Sequence, residues 1–470
     1  MRRNYVAGTW VPSASDEAVD VINPATEEVI DQVPAGHPAD VDAAVEAARA
    51  AFGGWAATPA AERARYLEAI RQLLEDRAGP LAEVITADLG APLAFSRDEQ
   101  VGTPIAVLAS YVELLGSYNF GGDRVGNSLI VREPAGVAGA ITPWNYPLYQ
   151  IINKMAAALA AGCPMVLKTT EVAPLAAYEL AGIVHEAGLP AGVFNLLCGT
   201  GPVVGEALAR HPGVDLVSFT GSTRAGTRVA ELAAATVKRV SLELGGKSAN
   251  VVLPDADLGT AVERGMARAF ANSGQGCSAL TRMLVPAGRY AEAVDLAVAE
   301  AGRYPVGDPL DDGTRLGPLV SAVQRDRVRG YIERGVADGA RLVTGGAEPP
   351  PGLGTGYYVQ PTVFADVTAG MAIAQEEIFG PVLSVIGYSS EEEAIEIANG
   401  TLYGLAAAVW SADQDHAVAV ARRLRAGQVE INGGAWNILA PFGGFGRSGY
   451  GRELGAAGLE EYLEVKSLQF

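Results

Sequence analysis

Apolar residues recur along this chain with two different spacings, and the switch between them divides it. From Asp40 to Ala87 they fall at helical spacing, as Val41, Ala44, Val45 and Ala48 and then Leu67, Ile70, Leu73 and Leu74. That pattern predicts two or three amphipathic helices on the outside of a sheet. From Gly136 the texture changes to short apolar runs, at 136–142, 163–168, 193–198, 214–219 and 238–244, separated by Ala-rich helical stretches. Repeated β-α units of this size predict a mostly parallel, doubly wound sheet. A second alternating stretch runs from near Ala249 to about Val409, with strand candidates Asn250–Leu253, Arg282–Val285, Arg341–Thr344 and Leu383–Tyr388. It predicts a second α/β unit. Two segments fit neither: Tyr118–Glu133 is neither strongly helical nor a buried strand, and Leu459–Leu468 alternates as an exposed strand would. An exposed strand invites pairing, so it is either a sheet edge blunted by charge or a strand used for oligomerisation.

Composition narrows the picture. With 470 residues, 49% of them hydrophobic, the chain has material for two domains. No run of about 18 uncharged apolar residues occurs, so no membrane span is expected. The N-terminus passes from Arg2-Arg3 to Gly8-Thr9-Trp10 without the apolar core of a signal peptide, and cytoplasmic residence is the expectation. A formal charge of −19 opposes nucleic acid as a partner. Three cysteines without CxxC spacing and only four histidines argue against a disulfide scaffold or a metal centre.

Three short segments carry candidate chemistry. Cys277 lies in Ser273-Gly274-Gln275-Gly276-Cys277-Ser278, among small and polar neighbours, whereas Cys163 and Cys198 sit in apolar strand contexts as buried cysteines usually do. A thiolate attacks a carbonyl carbon well if its pKa is lowered or a base is near. Glu243 closes the apolar run of Ser241-Leu242-Glu243-Leu244-Gly245-Gly246-Lys247, at a strand end, where ligands gather in open parallel sheets. Asn145 is bracketed by prolines in Pro143-Trp144-Asn145-Tyr146-Pro147. A rigidly held amide can donate to an oxyanion.

Together with Phe219-Thr220-Gly221-Ser222-Thr223-Arg224-Ala225-Gly226, Gln375-Glu376-Glu377-Ile378-Phe379-Gly380-Pro381 and Pro441-Phe442-Gly443-Gly444-Phe445-Gly446-Arg447-Ser448-Gly449, these segments resemble the NAD(P)-dependent, non-acylating aldehyde dehydrogenases. The resemblance runs from about Ile22 to the C-terminus. It implies a Rossmann-like cofactor domain (residues 1–117 and 136–245), an α/β catalytic domain (246–450), and a strand-based oligomerisation element (118–135 and 451–470) that makes a homodimer or homotetramer. Cys277 would attack the aldehyde, Asn145 and the Cys277 N–H would hold the oxyanion, and Glu243 would activate water against the thioester. Lys154 and Glu453 would form a proton path from that base, or an ion pair that supports the site.

For the cofactor, the resemblance implies Lys168 and Glu171 on the adenosine ribose, a carboxylate there favouring NAD over NADP. It also implies Gly201, Gly205, Gly221 and Ser222 where the dinucleotide approaches the backbone, Trp144 near the pyrophosphate, Glu377 on the nicotinamide ribose and Phe379 beside the nicotinamide. Tyr146, Tyr149, Gln150, Asn153, Gly276, Ser278 and Trp436 would line the aldehyde channel. None of these is cationic, so a neutral aromatic or medium-chain aldehyde is expected; a distal carboxylate would be buried unpaired. Arg282, close by in sequence, is the one residue that unsettles this expectation. The alternative, an acylating enzyme using coenzyme A, generally lacks a glutamate at the position of Glu243.

Overall fold

The computed structural model describes residues 1–470. Its first sheet is built on Ala138–Ile141, Met165–Lys168, Phe194–Leu197, Leu216–Thr220 and Arg239–Glu243, all mutually parallel. The first four are buried along their whole length. Helices cover both faces of such a sheet, which is why these strands read as continuous apolar runs. In space the order is Arg239–Glu243, Leu216–Thr220, Ala138–Ile141, Met165–Lys168, Phe194–Leu197. The chain works outward on one side of Ala138–Ile141 and then returns to build the other side. This reversal opens a crevice beyond the C-terminal ends of Ala138–Ile141 and Leu216–Thr220, the place where open parallel sheets take ligands.

Three helices fill the region of helical spacing, Pro38–Ala57, Ala60–Asp76 and Ala78–Leu89. The first is started by His37, whose ring accepts from Ala39 N while Asp40 accepts from the His37 amide, and it lies on strands Met165–Lys168 and Phe194–Leu197. The second packs against helices Thr103–Ser117 and Pro147–Ala161.

The second sheet has the order Arg341–Thr344, Thr362–Ala365, Val382–Tyr388, Arg282–Pro286, Ala249–Val252, Ala406–Trp410, Gln428–Ile431. Only its outer strand Arg341–Thr344 is antiparallel. Three of these seven strands have no counterpart in the pattern reading. Ala406–Trp410 reads Ala-Ala-Ala-Val-Trp, and alanine has low strand propensity, so burial between two layers decides its conformation. The N-terminus adds an antiparallel hairpin, Asn4–Val6 with Thr9–Val11, to the far edge of the first sheet, and Gly449–Tyr450 adds an antiparallel strand beside Glu243.

Segment Tyr118–Glu133 contributes two strands, Asp123–Val125 and Ser128–Pro134, the latter pairing antiparallel with the C-terminal strand Leu463–Gln469. That strand begins four residues later than its alternation predicts, because Gly455–Glu460 is helical and Leu459 is buried on it. From Glu464 to Gln469 the strand is exposed on both faces. No helix is long and apolar enough to cross a membrane, and no group of three or more His, Cys, Asp or Glu side chains is placed to hold a metal ion.

Candidate active site

A cleft of about 690 Å³ lies between the two sheets, lined by Trp144, Asn145, Gly221, Ser222, Glu243, Cys277, Glu377 and Phe379 among others. That lies within the roughly 300–1,000 Å³ of an ordinary ligand pocket.

The loop that carries Cys277 is fixed by a lattice of buried hydrogen bonds. Asn272 and Ser273 both adopt left-handed backbone, at φ 51° and 54°, a conformation costly enough to need surrounding support. Asn272 Nδ2 donates to Asn145 O at 2.8 Å, Ser273 Oγ to Gly317 O at 2.8 Å and Gln275 Nε2 to Asn272 O at 3.1 Å. Gln275 Oε1 accepts from Val320 N at 3.0 Å. Across the cleft, Pro147 starts helix Pro147–Ala161 in the first turn, where its missing N–H costs nothing. This sets Asn145 just ahead of the helix. Asn145 Nδ2 donates to Gln275 O at 3.0 Å, which leaves its second amide hydrogen free. Gln100 and Asn272, neither conspicuous in the sequence, both donate to the Asn145 carbonyl.

Cys277 is half-buried, and its thiol pKa is pushed up to about 12 by burial and by the carboxylates of Glu377, Glu243 and Glu453. The thiol form is therefore favoured, and of the two ways to activate a cysteine a nearby carboxylate is the one the structure offers. Glu243 is 3% exposed, and neither of its carboxylate oxygens has a hydrogen-bond partner. Burial first, and then the charge of Glu453, raise its pKa well above the usual carboxylate range, while Lys154 and Arg452 pull the other way. The Gly443 backbone borders it so closely that a Cβ there would lie 2.7 Å from Glu243 Oε1.

Lys154 and Glu453 meet as a buried ion pair, Nζ to Oε1 at 2.5 Å. Lys154 also donates to Ser218 Oγ at 3.1 Å and Thr220 Oγ1 at 2.8 Å, and Asn153 Nδ2 donates to Glu453 Oε2 at 3.2 Å. Asn153 thus braces this pair.

Lys168 Nζ donates to Glu171 Oε2 at 2.8 Å at the end of strand Met165–Lys168. Gly201 faces open space, whereas Gly205 is buried near Ile141. Gly221 has a reason within the protein, since a Cβ there would lie 2.6 Å from the Phe219 ring. Glu377 Oε1 accepts from Gly246 N at 3.0 Å, and burial pushes its carboxyl up to about 7. Trp144 and Phe379 meet edge to face with ring centroids 5.4 Å apart. The cleft also gathers Arg224, Gln324, Arg327, Tyr331 and Tyr403, which the sequence reading did not single out. Each comes from a segment without a recognisable motif of its own, except Arg224, which lies within Phe219–Gly226.

Tyr146, Tyr149 and Trp436 form a chain of edge-on aromatic contacts, extended by Phe95 against Tyr146. A Cβ on Gly276 would have Ala279 Cβ and Tyr146 Oη no nearer than 3.9 Å, so space does remain beside the nucleophile. Arg282 points elsewhere: its guanidinium is buried and donates to the carbonyls of Lys247, Ile397 and Ala398. Arg268 lies within electrostatic reach of Tyr146 but is paired with Glu430 at 2.8 Å.

The two α/β units thus place a cysteine and an unpaired carboxylate in one cleft. The profile of the aldehyde dehydrogenase family matches residues 10–468, and the chain belongs to that family. It is 49% identical to a 3-succinoylsemialdehyde-pyridine dehydrogenase of a Pseudomonas species over 99% of this chain and 98% of the relative. A variant of aldehyde dehydrogenase C from Pseudomonas syringae, solved with NAD+ and octanal, superposes with a TM-score of 0.99 at 50% identity, covering 100% of this chain and 96% of that one. A Mycobacterium tuberculosis aldehyde dehydrogenase solved with NAD+ gives 0.97 at 41% identity, covering 100% and 98%.

Proposed function

We propose that this enzyme oxidises a neutral aldehyde to a carboxylic acid with NAD, through a thiohemiacetal and then a thioester on Cys277. The observation that carries the reading is the unpartnered, buried Glu243 facing the same cleft as Cys277 and the half-free amide of Asn145. A carboxylate kept without a donor is available for a proton. Cys277 Sγ attacks the aldehyde carbon and yields its proton to the base, and the Asn145 amide with the Cys277 N–H holds the oxyanion. NAD supplies the hydride acceptor and, through its positive ring, a charge that lowers the pKa of neighbouring acids. Once the thioester exists, water adds to its carbonyl carbon and Glu243 takes the water's proton. The carbon–sulfur bond breaks, and acid and free thiol are regenerated. Lys154 and Glu453 give that proton an onward route.

The cofactor fit rests on Lys168 and Glu171 for the adenosine ribose and on Glu377 and Phe379 for the nicotinamide end. The Glu171 carboxylate repels a 2′-phosphate, which favours NAD over NADP. The channel of Phe95, Tyr146, Tyr149 and Trp436 favours aromatic or medium-chain substrates. Two relatives agree with this, one named for a semialdehyde on a pyridine ring and one solved with octanal. Residues 1–117 with 136–245 serve as the cofactor domain and 246–450 as the catalytic domain. The exposed strand of the element formed by 118–135 and 451–470 pairs with a second copy in a cytoplasmic homodimer or homotetramer. The test is NADH absorbance with benzaldehyde, hexanal and succinic semialdehyde, with and without coenzyme A, and with NADP in place of NAD. The neutral aldehydes are expected to lead without any need for coenzyme A. A preference for succinic semialdehyde of about tenfold in kcat/KM, roughly 1.4 kcal/mol, would overturn the substrate class.

A further inference from the structure

The first two turns of helix Pro147–Ala161 bury three polar atoms that have no hydrogen-bond partner, Tyr149 Oη, Gln150 Oε1 and Asn153 Oδ1. Native structures leave few such atoms, because each forfeits the bonds it makes to water. Tyr149 is the one of the three that both donates and accepts. Its ring is accounted for, meeting Tyr146 and Trp436 edge-on with centroids 6.4 and 5.8 Å away. A phenylalanine would make both contacts, so the hydroxyl needs a reason of its own.

That hydroxyl stands among the reacting groups. Glu453, Cys277 and Glu243 all lie within its electrostatic reach. Tyr146 has Cys277 within reach and Tyr111 has Glu453, but of these three tyrosines Tyr149 alone has the nucleophile, the base and the clamped acid together. Burial raises its phenol pKa well above the usual value, so the group keeps its proton at any working pH. Asn153, four residues on and so on the same helix face, donates its amide nitrogen to Glu453 and leaves Oδ1 as an acceptor for that proton. A phenol whose proton goes to Asn153 keeps its lone pairs for another donor.

Hydrolysis of a thioester is fastest when both hydrogens of the attacking water are held, one by a base and one by a second acceptor, so that an oxygen lone pair points at the carbonyl carbon. Glu243 is the first acceptor. We propose that Tyr149 Oη is the second and holds the hydrolytic water between Cys277 and Glu243, an inference that rests on the thioester reading above. As the water oxygen bonds to the thioester carbon, one proton passes to Glu243. The other stays on that oxygen, against Tyr149 Oη, until the carbon–sulfur bond breaks. Tyr149 itself neither gains nor loses a proton. One water thereby gives partners to Glu243 and Tyr149, and the phenol proton gives one to Asn153.

The test is Tyr149→Phe, which keeps the ring, followed through a single turnover with NAD and hexanal. NADH absorbance reads hydride transfer, and the intact mass of acid-quenched protein reads loss of the hexanoyl group from Cys277. Hexanoyl loss is expected to slow about tenfold, the size of one hydrogen bond lost from the transition state, while the first-turnover NADH rate and the KM for hexanal change by less than about twofold. A retained NADH rate also shows that the variant folds. Unchanged hexanoyl loss, an equal fall in both phases, or a rise in KM alone would overturn the assignment and leave Tyr149 as a channel wall. Unchanged loss in Tyr149→Phe beside a stalled adduct in Glu243→Gln sinks this inference alone, whereas no adduct in either variant sinks the thioester reading with it.

Discussion

Glu243, in the wall of the cleft, and Glu453 are both buried and lie within electrostatic reach of each other, yet they are held in opposite ways. Glu453 is clamped by Lys154 and Asn153, and Lys154 in turn by Ser218 and Thr220. Glu243 has no hydrogen-bond donor on either oxygen. One carboxylate accepts a hydrogen bond on each oxygen; the other keeps both oxygens free and a raised affinity for protons. Burial alone therefore does not make a base. The missing donors do, since a carboxylate with satisfied lone pairs gives up its readiness to take a proton from water.

Three substitutions sharpen or break this contrast. The largest effect belongs to the nucleophile that both carboxylates surround. Cys277→Ala should abolish aldehyde oxidation while NADH still binds, and Cys163→Ala and Cys198→Ala should stay active, since those thiols are fully buried and neither lines the cleft. Steady-state rates and NADH titration measure both.

Next comes Glu243→Gln, expected to slow hydrolysis of the thioester by about 10²–10⁴-fold, so that a burst of NADH precedes slow turnover. An equal fall in both phases would place Glu243 before hydrolysis. The same variant carries a stability signature. The folded pKa of Glu243 lies above its unfolded value, so the folded protein keeps a proton that the unfolded chain releases above about pH 4.3. Stability falls as pH rises from there toward the raised pKa. Glutamine escapes this penalty, and thermal melting should show the variant gaining on the unmutated protein as pH rises across that window.

Lys154→Met should give the smallest loss of rate of the three but the opposite stability change. It leaves Glu453 buried without its cation, at a cost of about 3–5 kcal/mol. It also removes a charge that lowers the Glu243 pKa. The pH profile of hydrolysis should therefore move to higher pH, a shift that a purely structural lysine would not produce.

The parts of the site legible in the sequence are those whose chemistry is local. Cys277 among small polar residues, Glu243 at the end of an apolar run and Asn145 between two prolines each announce themselves within a few residues. Their supports do not. Gln100 reaches the Asn145 carbonyl across 45 residues and Lys154 reaches Glu453 across 299, and no local pattern encodes such a contact. The sequence could leave Lys154 and Glu453 as a pair or a proton path, and only the structure shows their distance. Similarly, four of the five runs of the first sheet were legible because continuous burial makes continuous apolarity. Ala406–Trp410 was not, because its alanines fit a helix as well as a strand and tertiary packing decides between them. Arg282 could be cleared from the aldehyde channel only once its three carbonyl partners were visible.

The central claim is that the acyl group passes through Cys277 and leaves it with the help of Glu243. The most direct measurement is intact-protein mass spectrometry of Glu243→Gln, quenched in acid shortly after mixing with NAD and hexanal. The account predicts a mass increase equal to the hexanoyl group, mapped by digestion to the peptide containing Cys277, and present in proportion to the NADH burst. NADH formed in a burst with no acyl adduct on that peptide would contradict it.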